Sequence, residues 1–117
     1  MNCQSTEIGD ALIVQFLFEI LDANNAKQVR QMVDPMIQDR KKVAFDMSEV
    51  QFIDSSGLGT LLTFYRKVKS AEGNLILFGM TSQAQSLFEL VKMDRIFEVV
   101  DTQEDAVQIL NENNRET

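Results

Sequence analysis

The sequence predicts a single α/β domain built on a mixed β-sheet of about five strands with about four helices. Three observations carry that prediction. The dense β-forming run Ala11-Leu-Ile-Val-Gln-Phe-Leu-Phe18 gives way, from Asn24 onward, to apolar residues at helical spacing. Strand-like and helix-like segments then alternate to the end of the chain, as parallel strands joined by helical crossovers require. A chain of 117 residues that is 44% hydrophobic suits one core rather than several.

A short extended piece around Thr6 to Ile8, the turn residues Gly9-Asp10 and the run 11–18 form an opening β-hairpin. Ala26, Val29, Val33 and Ile37 mark the buried face of an amphipathic helix, with Lys27, Arg30 and Gln31 on its other side. Asp34-Pro35 lies within that pattern; proline lacks an N–H and crowds the preceding turn, so the helix is expected to kink or end nearby. Lys42-Val-Ala-Phe-Asp46 reads as a short strand, and Val50-Gln-Phe-Ile53 as a loop returning to the core or a brief extended segment. Asp54-Ser-Ser-Gly57 interrupts the pattern before a second helix, whose predicted inner face is Leu58, Leu61, Leu62, Tyr65 and Val68 and whose terminator is Gly73. Leu75-Ile-Leu-Phe78 is a buried strand, and Thr81 or Ser82 opens a third helix with Ala84, Leu87, Phe88 and Val91 inward. Phe97-Glu-Val-Val100 supplies a last strand. Thr102 with Asp105 caps a final helix through Ala106, Val107 and Leu110, after which the polar tail 111–117 is expected to fray. The single domain 1–117 thus has its core over about 8–110.

Composition excludes several classes of function. Eighteen acidic against 11 basic residues give a formal charge of -7, so no global positive field draws in a nucleic-acid backbone. The absence of histidine removes the commonest general base, the histidine phosphoacceptor and the commonest zinc ligand. Cys3 is the single cysteine, it has no partner for an internal disulfide, and no basic neighbour in sequence lowers its pKa. One unbridged thiol suits a reducing compartment, so the expected location is cytoplasmic. No targeting signal stands out, and the longest apolar run is far shorter than the ~20 residues a membrane span needs, so no membrane partner is expected. Arg40-Lys41-Lys42 reads as a solvated connection, and Met32, Met36, Met47, Met80 and Met93 as packing residues.

Chemistry concentrates in Phe52-Ile-Asp-Ser-Ser-Gly-Leu-Gly59, which sets two hydroxyls and two glycines between an extended segment and an amphipathic helix. A serine at a helix start can cap the free amides or carry a phosphate that those amides accommodate. Gly57 and Gly59 would leave the surface low enough for another protein to approach the hydroxyl; simple capping by Asp and Ser is the structural alternative. Other chemistries fail on the same residues. Counted from Gly57, the last glycine of a dinucleotide fingerprint falls at Leu62. Gly59 is followed by Thr60 and Leu61, not by the lysine of a P-loop. Ser55 has neither a histidine in the chain nor a lysine close in sequence to act as its base. A phosphoaspartate receiver would need an acidic pair after its first long strand, whereas Glu19 and Asp22 are separated by Ile20 and Leu21.

Asp54-Ser-Ser-Gly-Leu-Gly59 resembles the phosphorylation motif of the STAS-domain anti-anti-sigma factors, or anti-sigma-factor antagonists, of bacterial partner-switching systems. Phe52-Ile53 resembles that family's apolar lead-in, and Leu21-Asp-Ala-Asn-Asn25 its turn into the first helix. Gly73-Asn-Leu-Ile-Leu-Phe78 and Leu87-Phe88 are similar to a later strand and helix, so the resemblance spans roughly Ile8 to Leu110. The chain departs from the pattern in lacking a glycine in the Phe18-Glu-Ile20 region and in placing Pro35 in the first helix.

The resemblance implies a switch protein rather than an enzyme. Ser55 would be the phosphoacceptor, Ser56 would start or cap the helix, and Asp22, Asn24, Asp54, Ser55, Ser56, Gly57 and Leu58 would meet the partner. That partner would be an anti-sigma factor serine kinase using ATP and magnesium, with a PP2C-type serine phosphatase reversing the modification; the chain itself would hold no cofactor and no metal. Two other readings share the motif: a small-molecule or nucleotide-binding STAS module that cradles a phosphate at Ser55 to Gly59, and a scaffold subunit modified for assembly.

Overall fold

The computed structural model describes residues 2–115. Gly9, at φ 60, occupies the first position of a two-residue turn, where a residue with a Cβ would be strained. Across that turn β1 (Asn2–Ile8) pairs antiparallel with β2 (Ala11–Leu17). A two-residue strand β3 (Ile20–Leu21) and helix α1 (Ala26–Ile37) lead to β4 (Lys42–Asp46), which lies parallel beside β2. Another two-residue strand, β5 (Phe52–Ile53), precedes α2 (Ser55–Ser70). Then come β6 (Asn74–Phe78), α3 (Ser82–Leu90), a 3₁₀ turn over Met93–Arg95, β7 (Glu98–Val100) and α4 (Gln103–Arg115). The main sheet runs β1-β2-β4-β6-β7, with β1 antiparallel to a parallel remainder; β3 and β5 pair by themselves.

Register decides which side chains share a face. Val14, Phe45, Leu77 and Val99 are successive neighbours across the strands, as are Ile13, Ala44, Ile76 and Glu98 on the opposite side. The first face carries the larger core, where Phe16 and Phe45 meet at 4.9 Å and residues of α1, α2 and α3 close over them. On the second face Ala106 and Leu110 of α4 cover Ala11, Ile13, Ala44, Ile76 and Phe78. Helices on both faces explain why the inner strands read as unbroken apolar runs rather than alternating ones.

The predicted helix faces hold with one rotation and one exception: Val91, expected inward on the third helix, stands just past the end of α3 and is exposed, because the helix stops at Leu90. Ala26, Val29, Val33 and Ile37 of α1 are all buried. On α2 the buried residues are Gly57, Thr60, Leu61, Phe64 and Val68, while Leu58, Leu62 and Tyr65 are half-buried. Phe64 meets Phe45 edge-on at 5.7 Å, and Tyr65 meets Phe97 at 5.2 Å. The helix therefore packs along two adjacent stripes, and the sequence pattern centres on the shallower one.

Other boundaries shift for local reasons. α1 passes through Pro35 to Ile37: the proline stands in the last turn with its ring exposed, so its missing N–H removes only a terminal bond. α2 ends in a paired Schellman closure, Gly73 N–H donating to Val68 O and Glu72 N–H to Lys69 O, both at 2.9 Å. Glu72 takes the positive φ of 62 there, and Gly73 is small because a Cβ would stand 2.6 Å from Lys41 Cα. β1 begins at Asn2 rather than near Thr6, and α4 continues past Asn111 to Arg115. The capping expectations for Thr81 and Thr102 hold, each hydroxyl accepting from the amide three residues on.

The remaining sequence readings find their places. Arg40 pairs with Glu7 at 2.8 Å and Lys42 with Asp10 at 3.5 Å, while Lys41 is exposed. Met47 is buried and Met32, Met36, Met80 and Met93 pack half-buried against the larger core. Burial pushes the Cys3 thiol up to about 11. No helix among the described residues is long and apolar enough to cross a membrane.

The rotated face of α2 gives a direct test. Phe64→Ala is expected to cost about 3–5 kcal/mol, whereas Leu62→Ala should cost about 1–2 kcal/mol because part of its surface is already hydrated. Urea midpoints of the two variants measure the difference, and a larger loss in Leu62→Ala would put the main packing stripe back where the sequence pattern centres it.

Candidate functional site

The site forms where two chain crossovers leave the sheet. Glu19 O accepts from Gln51 N–H at 2.8 Å and Phe52 N–H at 3.1 Å, which draws β5 against β3. The following Leu21-Asp-Ala-Asn-Asn25 segment closes on itself. Asp22 Oδ1 accepts from Asn24 N–H at 3.0 Å, Asn25 Oδ1 accepts from Asp22 N–H at 2.9 Å, and Asn25 Nδ2 donates to Ile20 O at 2.6 Å. Short polar side chains bonding neighbouring backbone make this turn before α1 begins.

Asp54 joins that turn to α2. Its N–H donates to Leu21 O at 3.2 Å; its Oδ1 accepts from Gly57 N–H at 2.9 Å and its Oδ2 from Ala23 N–H at 3.1 Å. Asp54, not Ser55 or Ser56, is therefore the helix cap. The Gly57 amide, with the Ala23 amide assisting, holds the Asp54 carboxyl below the usual carboxylate range, so it is ionised at neutral pH.

The two glycines do different work. A Cβ on Gly57 would lie 2.8 Å from Ile53 Cγ2 and would run into Leu21 O, so this glycine admits the chain's own β3–β5 pair. It is buried, contrary to the sequence expectation that it leaves the surface low. Gly59 faces open space: a Cβ added there would meet no atom within 4 Å.

Of the other expected site residues, Asn24, Asp54, Ser55 and Ser56 are exposed and Asp22 is half-buried. The structure brings all five to one edge. Leu58, expected at an exposed helix start, is half-buried against the larger core. Ser56 starts no helix: Ser55 is already the first helical residue. Ser56 O accepts from the Thr60 hydroxyl at 3.0 Å, and that hydroxyl accepts from Arg30 Nη1 at 3.2 Å.

Beside this edge a groove of about 340 Å³ runs between the β3–β5 pair and α3, lined by Ile20, Asp22, Phe52, Asp54, Gln83 and Leu87 among others. Ile20 and Phe52 are 45% and 52% exposed, large apolar surface left uncovered next to two carboxylates. Sequence reasoning missed Ile20, because a strand of two residues gives no periodicity from which to tell its outward position, and Gln83, because a polar residue on the outer face of a helix gives no sign of the groove beside it. Among the described residues no group of three His, Cys, Asp or Glu side chains stands ready to hold a metal ion.

A family profile described as the STAS domain matches residues 2–106. The chain belongs to the STAS domain family. The anti-sigma F factor antagonist of Paenibacillus polymyxa is 28% identical over 98 residues, covering 82% of this chain and 83% of that one. The crystal structure of an anti-sigma factor antagonist from Mycobacterium paratuberculosis superposes with a TM-score of 0.82 at 20% identity, covering 94% of this chain and 93% of that one. The phosphorylated form of Bacillus SpoIIAA superposes with a TM-score of 0.66 at 22% identity, covering 92% and 97%. This STAS domain thus has the single mixed-sheet α/β architecture that the sequence predicts.

The two glycines separate by substitution. Gly57→Ala should lose about 1–3 kcal/mol by overpacking against β3, while Gly59→Ala should gain about 0.5–1 kcal/mol from helix propensity. Denaturant unfolding of both variants checks this, and equal stabilities would refute the close approach at Gly57. Asp54 gives a pH test. Its folded carboxyl lies below its unfolded value of about 3.9, so its stabilisation is full well above that value and is lost as pH falls through the folded one. Unfolding curves between pH 7 and pH 2 should show a shallower acid loss in Asp54→Asn, which keeps a capping oxygen but cannot titrate; parallel curves would count against the assignment.

Proposed function

We propose that this STAS domain is an anti-sigma factor antagonist that works as a serine-phosphorylated switch, with Ser55 as the acceptor. One observation carries the reading. Ser55 is exposed at the first position of α2, released from capping by Asp54, and one turn from the open flank at Gly59. Unmodified, the protein binds an anti-sigma factor serine kinase or related regulator and frees that regulator's target. The kinase, with ATP and magnesium, transfers a phosphoryl group to Ser55 Oγ, the hydroxyl proton leaving to a base of the kinase and ADP departing. A PP2C-type serine phosphatase reverses the step. The chain supplies a substrate and a surface, not catalysis; it needs no cofactor and acts in the cytoplasm.

The contact surface on this reading comprises Asp22, Asn24, Asp54, Ser55, Ser56 and the outer half of Leu58. Ile20 and Phe52 extend it as apolar anchors. Phosphate adds a charge of roughly -1.5 to -2 beside an Asp54 that is already ionised. Docking then excludes water from like charges and costs affinity. The carboxylates of Asp22 and Asp54 in the groove support a protein partner over the nucleotide-binding alternative, since they repel a ligand's phosphates. The relatives' names as antagonists point the same way.

Ser55→Asp should fold like the wild type and lose at least tenfold in affinity for the kinase, or about 1.4 kcal/mol. Ser55→Ala should bind and resist inactivation. Peptide mass spectrometry after kinase treatment should place the phosphate on Ser55, and titration calorimetry reads the affinities. Phosphate on Ser56 alone, or equal affinity of the phosphorylated and unmodified proteins, would overturn the proposal.

A further inference from the structure

We infer that Arg30 is the chain's own receptor for a phosphate on Ser55. The inference rests on the switch reading for the position of the modification, and deepens it by naming the group that holds the modified state. Arg30 belongs to α1, where the sequence pattern puts it on the solvent side; it is half-buried instead. Its Nη1 donates to Thr60 Oγ1 at 3.2 Å, and Thr60 Oγ1 donates to Ser56 O at 3.0 Å. The guanidinium is thereby held two hydrogen bonds from the backbone of the residue next to Ser55.

Three further facts turn that position into a receptor. An arginine carries five N–H donors, yet one guanidinium hydrogen bond is found for Arg30 among the described residues, and no described carboxylate pairs with it. On a chain of net charge -7, an arginine without a carboxylate partner is well suited to receive an anion. The second fact is that Asp54 already engages two amides of the site, Gly57 N–H with one oxygen and Ala23 N–H with the other. Those two amides are not open to a phosphate arriving on Ser55, which a guanidinium can bind with more than one donor. The third fact is that moving Arg30 leaves no buried group unpaired. Thr60, 1% exposed, keeps its bond to Ser56 O when the guanidinium turns away. Arginine's planar fork matches phosphate oxygens two at a time, which a lysine does not.

The charged groups to be separated are Asp22 of the turn and Asp54 of the cap on one side, and Lys27 and Arg30 of α1 on the other. The two carboxylates oppose ionisation of the phosphate and the two cations favour it. Lys27 is exposed, a turn before Arg30 on the same helix, and serves as the control for a general charge effect.

The test uses the full chain with phosphoserine installed at position 55 during translation, so no kinase is needed. Titration followed by phosphorus NMR gives the second ionisation of the phosphate in the wild type, Arg30→Gln and Lys27→Gln. Asp22 and Asp54 are unchanged in all three, so the differences isolate the cations. Arg30→Gln should raise that pKa by about 0.5–1, and Lys27→Gln by less. A rise below about 0.3 in Arg30→Gln, or an equal or larger rise in Lys27→Gln, overturns the inference. Should Arg30→Gln fail to fold, the wild type decides alone: the Arg30 side-chain Nε–H resonance should shift between unmodified and phosphorylated protein, and an unmoved resonance overturns the assignment. Failure of a cognate kinase to modify Ser55 would count against the switch reading and leave this result untouched.

Discussion

The Asp54 carboxylate ties together two stretches of chain that lie 31 residues apart, and the geometry of the site depends on it. One oxygen closes the start of α2 at Gly57 and the other fixes the turn before α1 at Ala23. Because the carboxylate caps the helix, neither adjacent serine has to. A hydroxyl that capped the helix would be committed to an amide; an exposed hydroxyl beside an aspartate cap remains available to another protein. The same bond fixes a negative charge next to Ser55, since the amides that hold the carboxylate also keep it ionised.

The sheet explains why these two stretches meet. Parallel β2 and β4 are neighbours, and each passes from its carboxyl end, through a two-residue strand, into a helix. In such a sheet the connections at the carboxyl ends gather on one edge, which is where open α/β domains place their sites. The pairing of β3 with β5 narrows that gathering to hydrogen-bond distance, and Gly57 is the residue whose lack of a Cβ permits it. The exposed faces of Ile20 and Phe52 follow from the same pairing. Their neighbours Leu21 and Ile53 turn inward, so the outward alternates stand in solvent beside the groove.

What the sequence revealed and what it hid divide along physical lines. Lys42–Asp46, the α1 face and the Thr81 and Thr102 caps were legible because strong patterns and turn chemistry agree there. The polar amino-terminal part of β1 was not, since an edge strand with Cys3 as its one fully buried residue carries no alternation to read. Phe64 was hidden by its apolar neighbours: Leu61, Leu62 and Tyr65 allow two stripes, and only tertiary packing against Phe45 selects the deeper one. At the site the aspartate-serine motif was visible, but the division of labour within it was not. Which glycine faces the chain and which faces solvent depends on Leu21 O, contributed by a segment far away in sequence. Arg30 gave no signal at all, because its partner Thr60 stands on another helix.

The proposed switch places its energy in the interface and not in the fold. Ser55 and Asp54 are exposed, so in the free protein water and salt screen most of the interaction between a phosphate and the neighbouring carboxylate. The fold then has little reason to respond to modification. A docked partner changes the medium without moving the charges: water leaves, the local dielectric falls, and the same pair of negative groups acquires a large desolvation cost unless a cation comes with the partner. An internal arginine alters that balance. By answering the phosphate from within the chain, Arg30 would spare the fold any repulsion while holding the phosphate's bulk at the docking edge. Modification could then block a partner by occupying space as well as by charge, a block that rising salt would weaken only in part.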